Sequence, residues 1–167
     1  MNLIIYYSRK GQNYFGGAIR SIEKGNTEIC AEYIQRAVGG DLFEVDTVKP
    51  YSEDYMTCTE EAKAELRANA RPELKKMLTD IDKYDNIFIC GPCWWGTYPC
   101  AVFTQLEALD FTGKRVFPLM THGGSRHGLA AMTMTEDAKT EENTAGSPCG
   151  EYIRRPRRLV PPGLLLI

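Results

Sequence analysis

The stretch Leu3-Ile-Ile-Tyr-Tyr7 is a short, continuous run of apolar residues rich in β-formers. A strand covered on both faces in a parallel sheet has this pattern, because neither of its faces meets water. The run ends in Ser8-Arg-Lys-Gly11, and from residue 25 the apolar residues recur at helical spacing. The chain therefore begins with a predicted strand, a loop and a helix.

The first predicted helix opens at Gly25-Asn-Thr27, with Thr27 as its N-cap, and stops at Gly39-Gly40. Between the first strand and this helix, residues 12–24 predict a small hairpin or excursion. The long connection between strand and helix is thus expected to carry structure of its own.

Strand and helix patterns alternate through the rest of the first 120 residues. Such alternation favours an α/β fold, a three-layer α/β/α sandwich with an open parallel sheet, because each crossover must pack back onto the sheet. The further predicted strands are 41–48, 84–90 and 115–120, and the further predicted helices are 59–69, 72–81 and 101–109.

Length and composition exclude several classes of protein. A chain of 167 residues is about one domain, and its 20 basic against 22 acidic residues leave no basic excess for binding nucleic acid. The first apolar run is too short for a signal peptide, and no segment is long enough to span a membrane, so we expect a cytoplasmic protein. Its six cysteines are expected to be reduced thiols, and its two histidines give little support for a metal site.

Three loops follow the carboxyl ends of predicted strands, where ligands bind in open parallel sheets. They span Ser8 to Thr27, Pro92 to Tyr98 and Thr121 to Ser125. The first loop has hydroxyls, glycines and the free N–H groups of a helix start, which suit a phosphate. It has neither the nucleotide-hydrolase nor the dinucleotide glycine motif, so a mononucleotide phosphate is favoured over those two ligand classes. A glycine-rich connection with a capped helix and no ligand is the equally weighted alternative.

The second and third loops offer groups for the rest of a nucleotide. Trp94 and Trp95 can present a planar aromatic surface to a flat heteroaromatic ring, although tryptophans also fill cores. In the third loop, Thr121, His122 and Ser125 can donate or accept hydrogen bonds, and Gly123-Gly124 permits close approach of the backbone. The alternative for this loop is a flexible turn.

Four stretches together resemble the flavodoxin-like family, and in particular a bacterial branch of small flavodoxin-type proteins. The resemblance runs from residue 1 to about residue 130 and includes an insertion that separates the serine of the phosphate loop from its Asn-Thr pair. It implies FMN bound on a five-stranded sheet of order 2-1-3-4-5. The four stretches are Tyr6-Tyr-Ser-Arg-Lys-Gly11, Gly25-Asn-Thr27, Pro92-Cys-Trp-Trp-Gly-Thr97 and Thr121-His-Gly-Gly-Ser125.

The same resemblance implies the role of each loop. The first binds the FMN phosphate, with added charge from its basic residues; the second flanks the isoalloxazine ring, with Cys93 lining the site; the third closes the other side. The FMN-binding residues implied in this way are Ser8, Arg9, Lys10, Asn26, Thr27, Pro92, Cys93, Trp94, Trp95, Gly96, Thr97, Thr121, His122, Gly123, Gly124 and Ser125.

The expected function is electron transfer, either as a carrier or as an NAD(P)H-dependent reductase of a quinone or flavin. The expected partners are a redox protein, or NAD(P)H with a small acceptor such as a quinone, and a homodimer is one expected assembly. One alternative is a flavodoxin-fold interaction protein without a cofactor. Another is thiol-disulfide exchange through Cys90 and Cys93, which is disfavoured because Cys90 closes a buried strand and no helix can start before Pro99.

The resemblance covers a domain of residues 1–133 and fails in the segment 134–167. A flavodoxin-like chain should continue with a helix, a fifth apolar strand and a terminal helix, whereas residues 135–147 are polar and the tail has no amphipathic period. Whether this C-terminal segment belongs to the same domain, supplies the fifth strand or forms an irregular tail stays open. Without a fifth strand, the fourth would be an edge, where Pro118 is tolerated.

Overall fold

A computed structural model describes residues 1–15 and 17–123 of the chain. Strands and helices alternate through these residues, apart from two strands that follow each other directly after the first. In chain order the elements are β1 (Asn2–Tyr6), β2 (Gly11–Phe15), β3 (Ala18–Ile22), α1 (Asn26–Val38), β4 (Asp41–Glu44), α2 (Tyr55–Arg67), β5 (Asn86–Pro92), α3 (Cys100–Leu106) and β6 (Arg115–Thr121).

Four strands form one parallel sheet in the order β4-β1-β5-β6. This is the predicted order 2-1-3-4 for the first four strands, so the prediction of an open parallel α/β sheet is confirmed. The fifth strand would lie in residues 124–167, outside the described part of the chain. Within that part β6 has one neighbour, β5, and Pro118 pairs in register with Ile89.

The sheet has a hydrophobic core on each face. On one face, Ala31 of α1 packs with Ile4, Tyr6 and Cys90. On the other face, Leu3, Ile5 and their neighbours on β5 pack with α3 in the larger core. Helices therefore cover both faces, and no helix in the described residues is long and apolar enough to cross a membrane.

The insertion between β1 and α1 is an antiparallel hairpin of β2 and β3, as the pattern of residues 12–24 predicted. Tyr14 lies directly opposite Ile19 in this hairpin, and both side chains are 48% exposed. The hairpin is separate from the parallel sheet. The long first loop thus carries a small structural unit to the carboxyl edge of β1.

The predicted N-cap of α1 was wrong. Gly25 holds the N-cap position, and Thr27 lies inside the first turn with only 2% of its surface exposed. The end of the helix was predicted correctly, because Gly39 is the C-cap and its N–H bonds to the carbonyl of Gln35. Thr27 does not cap because it already lies within the helix, and its hydroxyl instead makes a tertiary contact, described below.

The start of α2 was predicted four residues too late, at Thr59 instead of Tyr55. Asp54 caps the helix, since its carboxylate accepts hydrogen bonds from both the backbone N–H and the hydroxyl of Thr57. The first turn holds Met56 and the buried Cys58, but the prediction relied on the charged, alanine-rich stretch that begins only at Thr59. The capping residue therefore marks the start of α2 better than this composition does.

The helix predicted for residues 72–81 is absent from the structure. This segment is extended and pairs with the chain after β4, through bonds from Val48 N to Glu73 O and from Lys75 N to Asp46 O. Leu74 and Ile81 are buried and Met77 is exposed, in a backbone that is irregular. In this segment, hydrogen bonds to distant residues take the place of hydrogen bonds within a helix. The spacing of apolar residues does not reveal such partners.

Gln105 of α3 holds this irregular segment in place. Its side chain is fully buried; its amide oxygen accepts from Leu78 N at 2.9 Å and its amide nitrogen donates to Leu78 O at 2.6 Å. One side chain therefore satisfies both backbone groups of Leu78, as a neighbouring strand would.

We predict that Gln105→Ala lowers the free energy of unfolding by about 2–4 kcal/mol, because it leaves both backbone groups without their partner and opens a cavity. Urea denaturation measures the change. The matched control is Gln35→Ala, which removes an exposed bond to Gly40 O and is expected to cost less than about 0.5 kcal/mol. Equal effects of the two substitutions would contradict this role of Gln105.

Candidate functional site

The three predicted loops converge on Thr121, the last residue of β6. Its carbonyl accepts from Cys93 N at 2.7 Å, which joins the second loop to the third. Its hydroxyl shares a hydrogen bond of 2.7 Å with the hydroxyl of Thr27, which joins the first loop to the third. The parallel register places these residues at one edge of the sheet, and the bonds between them fix the floor of a candidate site.

Ser8 performs the capping role that was predicted for Thr27. Its hydroxyl oxygen accepts from Glu28 N at 3.0 Å, so a residue from the end of β1 satisfies an N–H in the first turn of α1. Gly25 makes this approach possible: a Cβ at that position would lie 2.2 Å from Ser8 Oγ and 2.5 Å from Arg9 O. The segment after β1 and the start of α1 are therefore in close contact.

Several hydrogen-bond donors remain at this point. The hydroxyl of Ser8 accepts from Glu28 N, which leaves its hydrogen to donate, and the Thr27–Thr121 pair has two hydrogens for one shared bond. No described residue accepts from the backbone N–H of Asn26 or Thr27, and the side chain of Asn26 is exposed. Hydroxyl and N–H donors at a helix start are the set that binds a phosphate without a metal.

Arg9 and Lys10, the two basic residues predicted to add charge at the phosphate site, have different surroundings. The guanidinium of Arg9 donates to the carbonyls of Gln12 and Glu53, so it links the hairpin to the segment before α2 instead of pointing at α1. Lys10 is exposed. The structure therefore assigns Arg9 to positioning the hairpin.

The second loop turns back on itself through Trp95 and Gly96. Trp94 N donates to Thr97 O at 2.8 Å and Thr97 N donates to Trp94 O at 3.2 Å, which closes a two-residue turn. Both central residues have positive φ, 55° at Trp95 and 90° at Gly96, as a type I′ turn requires. A bulky residue rarely adopts this conformation, so the turn holds Trp95 in a strained position at the rim of the site.

The two tryptophans have different surroundings. Trp95 is 51% exposed; its Nε1 donates to Thr59 O, and Lys63 Nζ lies 4.8 Å from its ring centroid, so the indole rests on α2. Trp94 is half-buried and packs edge-on against Tyr7 and Tyr51, at centroid distances of 5.4 and 5.0 Å. Of the two indoles, Trp94 joins the core and Trp95 lies on the surface.

Sequence analysis missed the two tyrosines beside Trp94. Tyr51 donates its hydroxyl to Glu65 Oε2 at 2.6 Å, and burial together with this carboxylate raises the pKa of Tyr51. Tyr7 is buried and ends the apolar run that begins at Leu3. Its place at the end of a predicted strand was the one sequence feature that could have pointed to it. A cavity of about 240 Å³ adjoins the cluster on the α2 side, and its lining residues are Lys49, Pro50, Tyr51, Glu61, Ala64 and Glu65.

Cys90 and Cys93 do not form a dithiol centre. Cys90 is fully buried inside β5 and faces α1, whereas Cys93 packs against the core on the opposite face of the sheet. Both thiols are free, and burial raises the pKa of Cys90 to about 12. α3 begins after Pro99, as predicted, so its N-terminus does not stabilise the Cys90 thiolate. This arrangement contradicts thiol-disulfide exchange with Cys90 as the nucleophile.

The third loop is described only as far as Gly123. Its residues His122 and Gly123 are exposed, next to Thr121 at the end of β6. Gly124 and Ser125, which complete the predicted loop, lie outside the described residues. Of the predicted set, the structure brings Ser8, Thr27, Cys93 and Thr121 into one connected group.

A parallel sheet in the order 2-1-3-4 with helices on both faces is the arrangement found in the flavodoxin-like class of α/β proteins. The family model described as flavodoxin matches residues 18–145. The chain belongs to the flavodoxin family. Among curated proteins, no match to the chain was found.

Three solved structures with a similar fold are flavoproteins or proteins predicted to be flavoproteins. A protein from Bacteroides eggerthii DSM 20697, predicted to be a flavoprotein, is 29% identical, with 81% of this chain and 79% of that chain covered and a TM-score of 0.65. A similar protein from Bacteroides uniformis ATCC 8492 is 28% identical, with 80% and 79% covered and a TM-score of 0.64. A Lactobacillus acidophilus NCFM flavoprotein in complex with FMN is 24% identical, with 81% and 83% covered and a TM-score of 0.61; at that identity the likeness shows the fold alone.

We predict that Gly25→Ala lowers the free energy of unfolding by about 1–3 kcal/mol, because the new methyl group displaces Ser8 and the backbone of Arg9. Denaturant unfolding measures the loss. Asn26→Ala in the same turn is the control, and it is expected to change stability by less than about 0.5 kcal/mol because Asn26 is exposed. A Gly25→Ala protein as stable as the unaltered protein would show that the loop does not need this close approach.

Alkaline pH is expected to destabilise the fold. Burial raises the pKa of Cys90 from 9.0 to about 12, and burial with nearby carboxylates raises that of Tyr6 from 10.0 to about 12. The folded state therefore holds protons that the unfolded chain releases, so its stability is complete below about pH 9 and is lost as pH rises toward 12. Urea unfolding at a series of pH values measures the slope.

The control for this pH dependence is Cys90→Val, which keeps an apolar side chain at the site and removes the titrating thiol. Its unfolding free energy should fall less between pH 8 and pH 10 than that of the unaltered protein. If the two proteins show the same slope, Cys90 does not contribute to the alkaline loss.

Proposed function

We propose that this protein binds FMN non-covalently at the carboxyl edge of its sheet and acts in electron transfer. The observation that carries the proposal is the meeting of Ser8, Thr27 and Thr121 at the first turn of α1. Membership of the flavodoxin family and the fold shared with an FMN complex support FMN as the ligand. Because that FMN complex is only 24% identical to this chain, it supports the shared fold and not the identity of the binding residues.

The residues present fit a phosphate at the start of α1. The hydroxyl of Ser8 keeps its hydrogen to donate, and the Thr27–Thr121 pair keeps one hydrogen beyond its shared bond. The first-turn N–H groups lie beside them with the positive end of the helix dipole. Gly25 brings the two segments close enough to act together. Asn26, with an exposed side chain, adds a further donor to the same turn.

The second loop fits the ring end of the ligand. The turn Trp94–Thr97 follows β5 directly and presents backbone groups at the sheet edge, while the half-exposed indole of Trp95 offers apolar surface. We propose that residues 92–97 contact the polar edge and one face of the ring system, and that the loop from Thr121 to Ser125 closes the site. Such walls exclude water from a bound ring.

When bound, FMN supplies the electron chemistry, taking up and releasing one or two electrons. The protein contributes the anchor for the phosphate and an environment of aromatic side chains and backbone dipoles. Two finer forms of the function are an electron carrier for a redox partner protein and an NAD(P)H-dependent reductase of a quinone or flavin. Assembly as a homodimer in the cytoplasm is part of the same proposal.

The absorbance spectrum of the purified protein is the first test. FMN binding predicts flavin absorbance that stays with the folded protein on gel filtration, whereas a flavodoxin-fold interaction protein without a cofactor stays colourless after incubation with FMN. Steady oxidation of NADH or NADPH with a soluble quinone would then identify a reductase. A reductive titration that resolves two one-electron steps, without such turnover, would identify a carrier.

We predict that Ser8→Ala and Thr27→Ala each weaken FMN binding by about 1–3 kcal/mol, because a phosphate oxygen loses a hydroxyl donor. Fluorescence titration of FMN measures the affinity. Ser21→Ala, an exposed serine of β3, is the matched control and should bind as the unaltered protein does. Unaltered affinity in both test variants, with folding confirmed by circular dichroism, would overturn the phosphate assignment.

A further inference from the structure

The hairpin of β2 and β3 is attached at its base to the segment before α2. Arg9 Nη2 donates to Glu53 O at 2.8 Å, and Gln12 Oε1 accepts from Tyr55 N at 2.9 Å. The second bond satisfies an N–H in the first turn of α2. Within the hairpin base, Asn13 Nδ2 donates to Arg9 O at 2.9 Å. These bonds fix the direction in which the hairpin leaves β1.

The far part of the hairpin contacts the third loop. A Cβ built on Gly123 would lie 3.2 Å from Cδ1 of Tyr14, so the tyrosine ring rests against this glycine. The hairpin therefore reaches from the start of α2 to the loop after β6, along the edge where the first and third loops meet. No residue of β2 or β3 belongs to the predicted FMN-binding set.

Tyr14 is an aromatic residue held at this edge with 48% of its surface exposed. Its directly opposed partner, Ile19, is equally exposed at 48%, so the pair presents apolar surface that nothing in the described residues covers. Only Tyr14 is placed against the third loop. A flat ring beside the described part of that loop, from Thr121 to Gly123, would cover the tyrosine and remove its apolar surface from water.

We propose that Tyr14 is a ligand-contacting residue that covers the flavin ring from the side of the third loop. The hairpin acts as a wall of the site, and Gly123 lacks a side chain so that the tyrosine can lie against the loop. This inference rests on the proposed function, because it names a residue that holds the same FMN. Ring contact, and not the tyrosine hydroxyl, is the property that Tyr14 contributes.

The test compares three variants of the full chain with FMN as the probe. Tyr14→Ala is expected to weaken FMN binding about three- to tenfold, the range that corresponds to an aromatic pair. Tyr14→Phe keeps the ring and should bind within twofold of the unaltered protein. Ile19→Ala is the matched control, because it removes an equally exposed apolar side chain from the same hairpin.

A second readout separates ring cover from a general effect on the hairpin. Iodide quenches the fluorescence of a flavin by collision, so it reports how exposed the ring of bound FMN is. Quenching of the fluorescence of bound FMN should increase in Tyr14→Ala and stay unchanged in Tyr14→Phe and Ile19→Ala. Thermal unfolding without FMN checks that the two alanine variants are equally stable. The proposal is supported if Tyr14→Ala alone loses affinity for FMN and alone exposes the bound FMN to iodide.

Three results would overturn it. If Tyr14→Ala matches the unaltered protein in affinity and quenching, Tyr14 does not contact the ring, and the proposed function stands without it. If Tyr14→Ala and Ile19→Ala weaken binding equally, the hairpin acts as a whole and the assignment to Tyr14 fails. If the unaltered protein does not bind FMN at all, the proposed function falls and this inference falls with it.

Discussion

β1 lies between two parallel neighbours, and its residues from Leu3 to Ile5 are almost completely buried. Successive side chains of a strand point to opposite faces, so both faces of β1 must be covered by helices. A parallel neighbour also requires a crossover connection that returns the chain to the same end of the sheet. The burial of this one strand therefore leads to the layered architecture and to a single edge at which the connecting loops begin.

The site depends on close contact between loops at that edge. Thr121 takes part in two bonds, one to Cys93 and one to Thr27, and Gly25 lets Ser8 reach the first turn of α1. These contacts bring hydroxyl and N–H donors together at the first turn of α1, and such a set of donors can stabilise a phosphate. The same packing leaves Cys90 buried and protonated, which separates this site from a thiol-based one.

Local signals predicted the parts of the fold that local physics controls. The apolar run of β1, the glycine at the end of α1 and Pro99 before α3 each identified their elements. The predictions that were wrong concern segments whose hydrogen-bond partners are distant in sequence. Residues 72–81 have helical spacing, but Gln105 and the chain after β4 take their hydrogen bonds, and the spacing of apolar residues carries no information about those partners.

The sequence by itself determined the alternation of strands and helices, the order of the parallel strands through the family resemblance, and three loops with phosphate- and ring-binding residue types. Only the tertiary structure decided which of those residues meet. Thr27 and Thr121 are 94 residues apart and share a hydrogen bond, and Tyr14 rests on Gly123 although no pattern in either segment refers to the other. Periodicity and capping act over a few residues, whereas contacts between loops depend on strand order, register and the direction of the hairpin.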